Sequence, residues 1–274
     1  PPDAQFLLTL GGALAQGGET TDALTTFDRV IALAPDDCSG YAAKANLLLS
    51  LGRIDEAMQA GKRAMGLDPD AQVLALLASL HRAKGLAVDA LHCIERAIQN
   101  NAQVAAYWLL LAQLRQDLGE HQAALPALLN AMELAPQDER AWIEASRVCR
   151  TLGLLDDAHM FAKQAVALAP EEVTPAVTLA QVHLRRGAAA EALAVLERAH
   201  VKGEQDSVWQ LHLAMALESL NSEQLALSAY EAAIRLAPEF APAHNNMGLL
   251  LVRIGRYMDG LQAARRAVEL APDH

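Results

Sequence analysis

A chain of 274 residues with 22 Lys and Arg against 33 Asp and Glu carries a formal net charge of −11, and although 53% of it is apolar only 4% is aromatic. That balance speaks against non-specific binding to nucleic acid and against adhesion to an anionic membrane surface. No run approaches the roughly 18–20 consecutive apolar residues that cross a bilayer, so no membrane insertion is expected.

The chain opens on Pro1-Pro2-Asp3, which is neither a signal peptide nor a transit peptide and has no initiator methionine. Native sequence upstream is therefore expected to be missing, and any address with it. From Ala4 onward one landmark keeps returning. Turn glycines stand at Gly18, Gly52, Gly85, Gly119, Gly153, Gly187 and Gly255, with Asn221 in place of one, at a spacing of 34 residues that slips once to 33. Five residues after each comes a small residue: Ala23, Ala57, Ala90, Ala124, Ala158, Ala192, Ala226 and Gly260. Most units then close with a proline, at Pro35, Pro69, Pro136, Pro170, Pro238 and Pro272, whereas Ala102 and Glu204 break the rule. Self-similarity at such a period marks stacked supersecondary units. The expected units run 4–37, 38–70, 71–104, 105–138, 139–172, 173–206, 207–240 and 241–274, as a single array.

The fourth unit shows how each is built. Trp108, Leu111, Ala112 and Arg115 follow a helical stripe, Gly119 breaks it, and Gln122 to Leu134 restore it, which predicts a helix A, a turn and a helix B that stops before Pro136. Glycine at the turn suits positive φ, and asparagine is the side chain best able to replace it there. Small residues at the eighth position of each A helix (Gly11, Ala45, Ala78, Ala112, Ser146, Ala180, Ala214, Gly248) let neighbouring helices approach closely. Asp36-Asp37 and Glu171-Glu172 place negative charge at A-helix N-termini, where the helix dipole favours it. Pro175 and Pro242 open A helices. Pro126, near the start of a B helix, predicts a late start or a slight kink.

Catalytic and metal-binding patterns are missing. The nine histidines scatter over unrelated repeat positions, and no HExxH, nucleophile elbow or phosphate loop occurs. Gly11-Gly12 and Gly17-Gly18 fall at packing and turn positions. Cys38, Cys93 and Cys149 are odd in number and show no ligand spacing, which favours a reducing compartment such as the cytoplasm. No enzymatic activity, metal or cofactor is expected.

The set Trp108, Leu111-Ala112, Arg115, Gly119, Ala124, Leu128, Ala131 and Pro136 resembles the tetratricopeptide repeat. So does the last unit, with Met247-Gly248, Leu251, Gly255, Tyr257, Gly260, Ala267 and Pro272. Gly61 departs from it, standing where an aromatic or aliphatic residue is usual. The resemblance implies an all-α fold, a right-handed α-α superhelix of eight helix–turn–helix units, whose A helices line a concave groove that binds a peptide or partner segment. It places the second, fifth, ninth, twelfth and thirteenth positions of each A helix on that groove. In unit five these are Arg140, Ile143, Arg147, Arg150 and Thr151; unit three adds Arg82 and unit six Arg185. Forked guanidinium donors suit carboxylates or phosphates, so an acidic segment is the sharper expectation. Pairing of Arg147 with Glu144 is the plainer one. Toward the C-terminus the same positions turn apolar at Val208, Leu211, Met215, Leu249 and Val252, with Asn245 and Asn246 beside them. The asparagine ladder of the O-linked N-acetylglucosamine transferase family is absent, and a chaperone-type clamp lacks its lysine at Ala42.

Two further readings accompany the scaffold. The array is the substrate-recruiting arm of a larger enzyme of glycosyltransferase, sulfotransferase or polysaccharide-export type. Or it self-assembles into a homo-oligomer through uncapped end faces, at Leu261, Ala264, Val268 and Leu270 on one side and Phe6-Leu7-Leu8 on the other.

Overall fold

The computed structural model describes residues 3–67 and 70–272, in which every regular element is an α-helix. The closing proline expected at Pro69 lies outside the described residues, as do Pro1, Pro2, Asp273 and His274. The helices gather into two compact units, 1–135 and 136–274. The first contains α1 (Ala4–Gln16), α2 (Thr20–Leu33), α3 (Cys38–Ser50), α4 (Ile54–Met65), α5 (Ala71–Ala83), α6 (Ala87–Asn100), α7 (Ala105–Asp117) and α8 (His121–Leu134). The second contains α9 (Glu139–Thr151), α10 (Leu155–Leu168), α11 (Val173–Arg185), α12 (Ala189–Arg198), α13 (His200–Gly203), α14 (Ser207–Ser219), α15 (Glu223–Leu236), α16 (Ala241–Arg253) and α17 (Tyr257–Leu270).

Odd and even helices alternate as A and B through α12; beyond the short α13, the A helices are α14 and α16. Within each unit every A helix touches the next A helix, and each B helix packs on its own A helix and on the following one. A single pair cannot bury its apolar stripe, so burial comes from the neighbouring repeat. The small B-helix residues Ala23, Ala57, Ala90, Ala124, Ala158, Ala192 and Ala226 are all 0% exposed. Ser146, the one hydroxyl at the eighth A position, is also fully buried and donates to the Ala158 carbonyl at 2.8 Å. At Gly61 the missing side chain is supplied by α5: Leu77 and Leu80 reach into the space a Cβ would take.

The turn chemistry follows the sequence reading. Gly18, Gly52, Gly85, Gly119, Gly153, Gly187 and Gly255 all have positive φ, and Asn221 shares it at 58°. Left-handed backbone costs an ordinary L-residue roughly 1–2 kcal/mol. Gly119→Ala is therefore expected to destabilise by about 1–2 kcal/mol, while Asn221→Gly changes stability little; urea unfolding followed by circular dichroism measures both.

Four of the A helices, α3, α5, α9 and α14, start on aspartate caps. Asp37, Asp70, Asp138 and Asp206 accept backbone N–H groups of Ser39, Val73, Arg140 and Trp209, taking up donors that the first helical turn leaves unpaired. Glu172 does not cap α11; its carboxylate pairs with Lys202. A second device acts at the fourth A position. Trp108, Trp142, Gln210 and His244 each donate a side-chain N–H to the carbonyl six residues back, that of Ala102, Pro136, Glu204 and Pro238, at 2.8–3.2 Å. That bond ties the preceding turn to the helix it enters.

Two expectations are corrected in part. Pro126 does not delay α8, which begins at His121. Pro126 and Gln122, whose carbonyl its missing N–H would have bonded, are both exposed, so the orphaned acceptor lies on the solvent side of the helix. The sixth repeat, lacking its closing proline, has a broken B helix. The indole of Trp209 donates to the Leu196 carbonyl at 3.1 Å. Ala199 N–H also turns to that carbonyl, at 3.0 Å, and the chain restarts as the four-residue α13.

Candidate functional site

Within each unit successive A helices contact one another directly, and the residues expected from the sequence to face a groove differ in exposure and in partners. Position five belongs mostly to the core: Ile143, Val177 and Leu211 are only 5–6% exposed. Leu211 packs with Ala226, Leu227 and Tyr230 and so is not a ligand contact, contrary to expectation. Met215 is half-buried, whereas Val208, Leu249 and Val252 stand 39%, 63% and 46% exposed. Asn245 is exposed and donates to the half-buried Asn246 at 3.3 Å. Asn246 in turn reaches the Tyr230 hydroxyl.

The arginines divide into the neutralised and the unbalanced. In the first unit, Arg82 on α5 donates through Nε to Asp117 on α7 at 2.6 Å and through an Nη to Gln113 at 2.6 Å. Its guanidinium is therefore committed to joining two repeats. In the second unit, Arg140 is held by Asp138 at 2.7–2.8 Å, which draws the carboxyl below its ordinary range. Arg147 donates to Glu144 at 3.0 Å, the plainer of its two expected roles. Arg186, outside the expected groove set, pairs with Asp156.

Arg150 and Arg185 differ from these. Arg150 is half-buried on α9, and its Nε is buried without a hydrogen-bond partner. Burial holds its pKa below the ordinary arginine value, and the charges of Arg185 and Arg147 depress it further. Arg185 is exposed, with no ion pair among the described residues. The nearby amide of Gln181 bonds to His212 Nε2 at 2.9 Å, while His212 Nδ1 donates to the Val208 carbonyl at 2.7 Å. Burial, against the opposing hydrogen bond to Val208 and aided by the charge of Arg150, lowers the His212 pKa.

Sequence reasoning missed the Gln181–His212 pair and the rule that arranges the charges. A side chain at position twelve meets position thirteen of the next A helix, 35 residues on. Arg82 and Asp117 obey it, and Glu218 and Arg253 obey it with a separation of 3.1 Å. Arg150 and Arg185 occupy the same two positions with like charge. The expected end-face residues Leu261 and Val268 are 43% and 62% exposed on α17. Phe6 is 62% exposed on α1, but Leu7 is buried. Among the described residues no group of three or more His, Cys, Asp or Glu is placed to hold a metal ion, and no helix is long and apolar enough to cross a membrane.

Comparison with known proteins places this architecture. Anaphase-promoting complex subunit 7 of Arabidopsis thaliana is 24% identical over 239 residues, covering 87% of this chain and 36% of that protein, so the chain spans little more than a third of its length. Among solved structures, the APC/C hetero-tetramer Cut9–Hcn1 contains a chain that superposes with a TM-score of 0.71 at 16% identity, over 98% of this chain and 53% of that one. A tetratricopeptide repeat protein from Parabacteroides merdae gives 0.70 at 14% identity, over 90% and 98%. The family model described as tetratricopeptide repeat matches residues 8–72, 75–139, 109–173 and 211–274, most of the chain. With the turn glycines, the packed alanines and the helix pairs in register, the chain belongs to the tetratricopeptide repeat family.

Proposed function

We propose that the chain is a non-catalytic interaction scaffold that binds an extended partner segment along the A-helix face of its second unit. The observation carrying this reading is the exposure of Val208, Leu249 and Val252 on α14 and α16, at the positions the family resemblance assigns to the groove, beside Asn245. Apolar side chains set in a strip with amide groups suit an extended peptide: the side chains take up its apolar residues and the amides its backbone. The helices are already fixed by core packing, so ordering on binding falls to the partner and not to the scaffold. By its name the anaphase-promoting complex subunit it resembles works within a multiprotein assembly, which supports the same class of role.

Selection of capped peptides from a random display library tests this. The chain is expected to enrich peptides with apolar residues, and Leu249→Glu with Val252→Glu is expected to weaken them about tenfold or more, at unchanged helicity. Failure to enrich any peptide, or undiminished binding by the double variant, would sink the reading.

A further inference from the structure

The twelve-to-thirteen contact between successive A helices is a mechanical joint wherever its charges are opposite. Arg82 meets Asp117, and Glu218 meets Arg253. At the one remaining charged joint the acid is absent and Arg185 stands in its place. Gln113 supplies an amide oxygen to Arg82, yet Gln181, its counterpart beside Arg150, is committed to His212. Arg147 is balanced by Glu144 and brings no counter-charge. Two guanidinium groups are thus left unbalanced, and one of them has a buried Nε that makes no hydrogen bond.

A half-buried charge without a partner costs free energy that a ligand of opposite sign recovers on binding. We propose that Arg150 on α9 and Arg185 on α11 form a seat for a carboxylate side chain of an acidic peptide, the ligand completing the joint that Asp117 closes in the first unit. The assignment rests on the scaffold reading above and gives its ligand an anchor. A planar carboxylate accepts two parallel N–H bonds from one guanidinium fork. The second guanidinium lies on the neighbouring helix and can share the same carboxylate or take an adjacent one. In a chain of net charge −11 such a spot is locally out of character, and like-charge repulsion elsewhere on the chain restricts where an acidic segment settles.

The comparison with Arg82 also supplies a variant that separates binding from folding. Arg185→Asp should rebuild the closed joint, and it is expected to raise the melting temperature by about 2–4 °C while removing the seat. Two probes are used on the wild type, Arg150→Gln and Arg185→Asp: glutarate, read by thermal shift, and capped peptides alternating Glu with Ala, read by fluorescence polarisation against their Gln and phosphoserine counterparts. The expected result is stabilisation by glutarate and a preference for Glu over Gln, both in the wild type only, with Glu-peptide binding weakened about tenfold or more in each variant. Equal binding of the Glu and Gln peptides, or an undiminished Glu preference in Arg185→Asp, would overturn the seat. Tighter binding of the phosphoserine peptide than of the Glu peptide would overturn the carboxylate assignment. Glutarate stabilisation lost in Arg185→Asp, with no peptide bound by any form, would uphold the carboxylate seat and bring down the scaffold reading alone.

Discussion

Trp209→Ala is expected to lower the unfolding free energy by about 3–5 kcal/mol, the usual cost of emptying a buried aromatic site. Trp209 is 2% exposed at the third position of α14, where α5, α9 and α16 carry Val73, Ala141 and Ala243. A side chain this large fits only because the chain gives way around it. A Cβ on Gly203 would lie 2.5 Å from the indole ring, so that residue must remain bare. The B helix above it is broken, and the indole N–H takes a carbonyl that an unbroken helix would give to His200. Truncation would leave a cavity and strip the Leu196 carbonyl of this donor. Trp209→Phe separates the two effects, since it keeps most of the apolar volume and loses the indole donor, at about 0.5–1.5 kcal/mol because the Ala199 N–H still reaches the Leu196 carbonyl. Urea unfolding monitored by circular dichroism gives both values. A loss under about 1 kcal/mol for the alanine variant would mean that the repeat closes over the vacated volume.

Gly260→Ala is expected to destabilise, by about 1–3 kcal/mol before any gain in helix propensity, although every other repeat has alanine at this point. Averaging over the repeats recommends the opposite change, because alanine exceeds glycine in helix propensity by about 1 kcal/mol. Geometry decides the sign. A Cβ on Gly260 would lie 2.7 Å from Val252 Cγ2 and 2.9 Å from the Gly248 carbonyl oxygen. The first obstacle can rotate away, but the second is backbone, so α16 and α17 would have to separate. Two glycines face each other there, and the helices have settled into the space that both leave. Thermal unfolding of the single variant is the check, and a higher melting temperature would refute the argument.

Local chemistry was legible from the sequence, and long-range pairing was not. The period announced the helix pairs, the turn glycines announced their positive φ, and Asn221 was placed in the same conformation by the one side-chain property that suits it. Burial of the alanines followed from their spacing. The arginines were read from their repeat positions alone, and a repeat position does not say which charge is already answered. Arg82 and Arg150 look alike in sequence; they differ through position thirteen of the next A helix, Asp117 in one case and Arg185 in the other. Comparing charges 35 residues apart would have separated them. Leu211 was read as surface because position five was treated as uniformly outward, whereas in this repeat it packs into the core with Ala226, Leu227 and Tyr230. The break after Arg198 was foreshadowed only by the missing proline at Glu204, since its cause lies in the volume of a side chain in the next repeat.

The donors at the fourth A position bear on how kinship among such chains is counted. Indole, carboxamide and imidazole groups perform one task at Trp108, Trp142, Gln210 and His244, because the acceptor in each case is a main-chain carbonyl that persists through substitution. Across these four repeats an alignment scored by residue identity records three different letters, whereas scored by donor the four agree; Leu7, Leu74 and Ala176 carry no donor at the same position. Drift can therefore erase the letters of such a column while the bond passes from one chemical class to another, and percentages of identity will understate the common ancestry of repeats held together in this way.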